Sequence, residues 1–129
     1  MSADIILIGP PGAGKSTLGE LLAAKLAVPQ CSMDEVRWGY YSEIGYDADV
    51  QKRLWEQEGF SAVMRYWKPF EAHAVERLLS AHHDCAPGCV IDFGAGHSLY
   101  EEAALFARVQ QALAPFPNII LLLPSADLD

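Results

Sequence analysis

Eight residues near the start of the chain, Gly9-Pro10-Pro11-Gly12-Ala13-Gly14-Lys15-Ser16, restrict its fold more than any other feature. They fit the spacing Gly, four residues, Gly-Lys-Ser/Thr, and they separate two segments of different period. Before them, Asp4-Ile5-Ile6-Leu7-Ile8 is a short β-branched apolar run, the pattern of a strand buried on both faces. After them, Leu18, Leu21, Leu22 and Leu26 recur at helical spacing until Pro29 ends the segment. Strand, glycine-rich loop and helix in that order make a nest for anions. Gly9, Gly12 and Gly14 permit backbone angles and close approaches that a side chain would block, so successive amides can converge on phosphate oxygens. The helix opening near Lys15 adds the positive end of its dipole to the same place.

Roles for single residues follow from that chemistry. Gly9, Gly12, Ala13 and Gly14 supply backbone to a bound nucleotide. Lys15 reaches the β- and γ-phosphates as a point charge, the Ser16 hydroxyl takes one position in the octahedral shell of Mg²⁺, and Thr17 meets the α-phosphate. No guanine-reading Asn-Lys-x-Asp string occurs, which leaves ATP as the expected nucleotide by elimination.

The remaining sequence alternates strands and helices. A second strand is predicted over 28–33, then a short helix through Val36 and Trp38 with Asp34 as its N-cap. Residues 39–47 read as a loop, followed by helices near 47–58 and 60–67 and a further helix opening at Pro69 and closing before Ala86-Pro87-Gly88. Cys89 to Asp92 form a third strand that ends at Gly94-Ala95-Gly96. Ser98 caps a helix to about Leu113, and 118–123 make a fourth, uniformly apolar strand. This order calls for an α/β fold with a parallel sheet of about four strands between two helical layers. At 129 residues, 51% of them apolar, one domain over 1–129 is expected. Pro124 to Asp129 read as a helix start without a body, so the domain is expected to be truncated at its C-terminus.

Charge narrows the partners. A formal net charge of −8 with nine basic residues leaves no footprint for a nucleic acid or an anionic membrane, although local amides and one lysine can still hold a nucleotide. The absence of a basic, apolar leader and of any run near ~20 apolar residues points to the cytoplasm. Three cysteines, an odd number, fit reduced thiols rather than a disulfide framework. Nothing in the pattern specifies an oligomeric state.

With the loop, the aspartate after the second strand and the glycines after the third in view, the chain resembles the shikimate kinase-like branch of P-loop small-molecule kinases over most of its length. Ile6 through Gly19 look very like that family's first strand, loop and helix. The resemblance implies transfer of the γ-phosphoryl group of ATP to a hydroxyl of a small metabolite. The family's Asp-x-Asp pair reads Ser32-Met33-Asp34 here, so only the second aspartate carries over. Asp34 is then the candidate for orienting or deprotonating the acceptor hydroxyl, beside its plainer reading as a helix cap. The family's Gly-Gly-Gly turn reads Gly94-Ala95-Gly96, tolerable if Ala95 keeps a negative φ. Asp92 is either the magnesium-associated carboxylate of many P-loop proteins or a cap for a neighbouring helix.

Two departures stand out. The substrate-binding Phe-Arg pair is matched by Phe70-Glu71, which argues against shikimate as acceptor and leaves Arg37 and Arg53 as the arginines nearest by position. The family's lid arginine and fifth strand would lie beyond Asp129. A nucleotide-binding regulatory or scaffold module with little catalysis is therefore the alternative reading. His82-His83-Asp84-Cys85 with Cys89 match no zinc spacing. His97 follows the glycine turn, where it is either solvated or in touch with a ligand. Trp38, Tyr40, Tyr41, Trp55, Tyr66 and Trp67 are expected mainly to pack a small helical subdomain.

Overall fold

The computed structural model describes residues 4–82 and 88–123. Four short strands, β1 (Ile5–Ile8), β2 (Gln30–Ser32), β3 (Val90–Asp92) and β4 (Ile119–Leu121), form one parallel sheet in the order β2-β3-β1-β4. Between them run α1 (Lys15–Leu26), α2 (Met33–Ser42), α3 (Ala48–Glu58), α4 (Phe60–His82) and α5 (Ala103–Leu113), with a 3-10 turn over Ala95–Ser98. The fold is the α/β arrangement expected.

Alternation along the strands builds the layers. Leu7 and Val90 point to one face, where Leu18, Leu22 and Ala23 of α1 cover them. Ile6 and Ile91 point to the other, into a larger core with Met33 and Tyr41 of α2, Phe70, Val75 and Leu78 of α4, and Leu105 and Val109 of α5. Because all pairs are parallel, the strands discharge their chains at one edge of the sheet. Asp92 is in register with both Leu7 and Ser32, so the loop at 9–14, the start of α2 and the glycine turn emerge together.

Several boundaries differ from expectation. Pro69 does not open a helix; it lies inside the 23-residue α4. The buried residues Ala62, Val63, Phe70, Ala74 and Leu78 continue one stripe across it, and their packing outweighs the missing backbone bond. The helix α2 runs on to Ser42, through the first part of the expected loop, because Tyr41 reaches the core. Its N-cap is Ser32, with Asp34 in the first turn. Ser98 closes the 3-10 turn rather than capping a helix, and α5 begins at Ala103 after Glu102. The strand β4 is apolar but not buried: it pairs with β1 at the edge of the sheet, and Leu121 is 57% exposed. The turn at 86–87 and the segment 124–129 lie outside the described residues. Among the described residues no helix is long and apolar enough to cross a membrane.

Candidate functional site

The loop after β1 has the conformation its glycines suggested. Gly9, Gly12 and Gly14 have φ of 151°, 77° and 90°, values that strain any L side chain. Gly14 is the N-cap of α1 and offers no side-chain cap, which leaves amides of the first helical turn without a helical acceptor. The amide of Ala13 instead donates to Pro10 O across the loop at 3.4 Å. The Lys15 ammonium folds back over the loop, donating to Gly9 O at 2.6 Å and Pro10 O at 2.9 Å. Pro11, Gly12, Gly14, Lys15, Ser16 and Thr17 line a cleft of about 360 Å³ together with Asp34, Phe93 and Ala95. A cleft of the same size beside α4 and α5 has Glu76 as its one carboxylate, already paired with Arg108.

Below the loop stands Asp92, at the end of β3 and only 2% exposed. Its Oδ1 accepts from Ser32 Oγ at 2.8 Å and Ser16 Oγ at 3.3 Å, and its Oδ2 accepts from Gln30 Nε2 at 2.9 Å. A buried carboxylate with three neutral donors, one of them the Ser16 hydroxyl at the first turn of α1, and no cation partner among the described residues is a hard-oxygen set that fits Mg²⁺.

Asp34 shares the cleft with Lys15, its side chain 62% exposed and 3.8 Å from Arg37 Nη1. The glycine turn packs under it. A Cβ at Gly94 would stand 2.7 Å from both Asp34 Oδ1 and His97 Nδ1, and one at Gly96 would stand 2.3 Å from Glu71 Oε2. These two glycines are required by closeness rather than by φ, and Ala95 between them has the negative φ that it needs. His97 is not solvated: it is wholly buried, with Nε2 3.0 Å from Tyr41 Oη. Burial lowers its pKa to about 3, with Arg37 and Lys68 adding to the effect, so the imidazole is neutral. Burial raises the pKa of Glu71, while Lys68, 3.1 Å away, pulls it back. The same lysine donates to Gly96 O at 2.9 Å and Leu99 O at 2.8 Å, clamping the turn to α4.

Of the two candidate arginines, Arg37 belongs to this region. Its guanidinium lies 4.5 Å from the ring centre of Trp38 and 5.4 Å from that of Trp67, and its buried Nε has no hydrogen-bond partner. Arg53 is exposed and donates to Asp49 O within its own helix. Of the aromatic residues expected to pack, Trp38, Tyr41, Tyr66 and Trp67 interlock with Tyr46 and Phe70, whereas Trp55 is 56% exposed and stacks edge-on with Phe60. Gln30 and Lys68 were not singled out from sequence. For Lys68 there was a signal, a carboxylate three residues on in the apolar stripe of α4, which must have a partner if buried. His83, Asp84 and Cys85 lie outside the described residues, among which no cluster of three metal-ligating side chains occurs.

Shikimate kinase from Aquifex aeolicus superposes on 95% of this chain and 61% of its own, with a TM-score of 0.55 and 21% sequence identity. The fold is that of a P-loop kinase. Among curated proteins, the adenylate kinase of Syntrophomonas wolfei is 35% identical over 97 residues, which are 69% of this chain and 39% of the relative. The adenylate kinase of Gemmatimonas aurantiaca is 59% identical over 32 residues, 25% of this chain and 15% of the relative. No family model matches. The chain spans less than two thirds of the length of each of these relatives.

Proposed function

We propose that the protein binds ATP with Mg²⁺ on the loop Gly9–Ser16 and transfers the γ-phosphoryl group to a hydroxyl of a small metabolite. One observation carries this reading: Asp34 shares a single cleft with Lys15, Ser16 and Thr17, where a hydroxyl beside the carboxylate would meet a terminal phosphate on the loop. The open backbone of Gly12 and Gly14 and the first turn of α1 would receive the phosphates, and Lys15 would exchange its two loop carbonyls for phosphate oxygens. Ser16 and Asp92 would hold magnesium, which when bound neutralises charge on the β- and γ-phosphates. Asp34 would orient the acceptor hydroxyl and take its proton as the oxygen attacks the γ-phosphorus. The bond from that phosphorus to the β,γ-bridging oxygen breaks, and ADP leaves. Arg37, one turn along α2 from Asp34 and within 3.8 Å of its carboxylate, is the cation nearest the acceptor position and is suited to an anionic group on the acceptor.

The test pairs calorimetric titration of Mg·ATP with ADP release across hydroxylated acids, sugars and nucleosides. Binding is expected in the native protein, with ADP release stimulated by one acceptor class. Asp34→Asn should lower that turnover by about 10²–10³-fold and leave ATP affinity in place. Tight binding without turnover on any acceptor would favour a nucleotide-binding regulatory module. No binding would end both readings.

A further inference from the structure

We propose that Gln30 and Ser32 are positioning residues which fix the Asp92 carboxylate toward magnesium at the phosphate loop; the inference rests on the nucleotide-binding reading above. The two side chains alternate onto one face of β2, and the pairing of Ser32 with Asp92 brings both beside the carboxylate. Ser32 Oγ donates to Oδ1 at 2.8 Å and Gln30 Nε2 to Oδ2 at 2.9 Å, so each oxygen is held by a neutral donor.

Three further features mark this as a built arrangement. Ser32 is the N-cap residue of α2, a position where serine usually bonds to the helix, yet its hydroxyl makes no cap bond and goes to Asp92. The Gln30 amide also donates to Ser16 O at 3.3 Å, joining the strand to the first turn of α1, where the metal-binding hydroxyl sits. On the next turn of α1 the chain places Gly19, where a Cβ would stand 2.8 Å from Gln30 Nε2 and 3.3 Å from Asp92 Oδ2. The missing side chain leaves the room that the glutamine amide uses.

The chemistry follows from the occupied oxygens. A carboxylate held on both sides by neutral donors cannot swing toward an ion. It suits magnesium, which gives up its waters reluctantly, by accepting hydrogen bonds from those waters. Partners of this kind typically change metal affinity by 10–100-fold without touching the metal.

The test reads binding rather than turnover. ATP affinity is measured by calorimetry with magnesium and with a chelator, and the ratio is the gain due to the metal. Gln30→Ala and Ser32→Ala are each expected to cut that gain about tenfold while leaving the metal-free affinity unchanged. Ser32→Thr, which keeps the hydroxyl, should preserve it. Gly19→Ala, which displaces the Gln30 amide from the helix side, should reproduce the loss. An unchanged gain in both alanine variants, or an equal fall with and without metal, overturns the assignment. Failure of the native protein to bind ATP under either condition would instead remove the reading beneath it.

Discussion

Gly9 faces the carbonyl oxygen of Leu122 where β1 and β4 end, and a Cβ on Gly9 would stand 2.3 Å from that oxygen. The Leu122 amide also donates to Ile8 O at 2.9 Å, so the entrance to the glycine-rich loop is sewn to the edge of the sheet by backbone alone. Backbone cannot move aside as a flexible side chain can, and φ at Gly9 is 151° besides. Gly9→Ala is therefore expected to destabilise the fold by about 1–3 kcal/mol, read as a lower urea midpoint. Gly12→Ala meets nothing within 4 Å and should carry only the cost of its φ. Equal midpoints for native protein and Gly9→Ala would show that β4 is not fastened there.

Lys15 separates binding from folding. Its ammonium rests on two carbonyls of its own loop at the rim of the cleft, a local contact that ties no two elements of the fold together. Lys15→Ala should keep the native circular dichroism and melting temperature while weakening ATP by about 10–100-fold, the worth of one charged hydrogen-bonding group. A variant that melts early would make the lysine a structural clasp.

Pro69 offers a stabilising change. The residue is exposed, so its ring adds little packing, yet it deprives the Arg65 carbonyl of a partner in the middle of the longest helix. Pro69→Ala restores the donor and removes the clash, at the expense of a freer unfolded chain worth about 0.4–1 kcal/mol. The expected net gain is about 2 kcal/mol in chemical denaturation. A loss would mean that α4 depends on the proline to aim its second half.

What the sequence made legible was local. The glycine spacing, the apolar run before it and the leucine stripe after it all lie within some twenty residues, and each names its own conformation. Asp34 and Asp92 could be proposed because short strands hand them to the same sheet edge. Gln30 could not: a single amide in a three-residue strand has no pattern, and its partner Asp92 is 62 residues away. Lys68 likewise depends on α4 meeting a turn 28 residues on. The reading of Pro69 as a helix start followed local propensity, and the continuous buried stripe of α4 overrode it. His97 was read from its neighbours in sequence, as a loop residue, whereas Tyr41 and Glu71 enclose it from two other helices.

That enclosure makes His97 a source of acid sensitivity. Its folded pKa of about 3 lies below the ordinary value of 6.5, so an unfolded chain takes up a proton that the folded chain refuses. The stability it protects is present above pH 6.5 and is lost as pH falls from there toward 3. Between pH 7 and pH 5 the loss should be about 2 kcal/mol. Glu71 works in the opposite direction: its raised pKa lets the folded chain hold a proton that the unfolded chain releases, which adds stability as pH falls. Lys68 and Arg37 both oppose that rise, so the histidine should dominate, and Tyr41, its pKa raised by burial, stays protonated throughout. Urea midpoints of the native protein and of His97→Gln, taken at pH 7, 6 and 5, isolate the contribution, because all carboxylates and the other histidines are common to both. The native midpoint should fall more steeply than that of the variant; parallel slopes would mean that the buried imidazole takes up its proton without disturbing the fold.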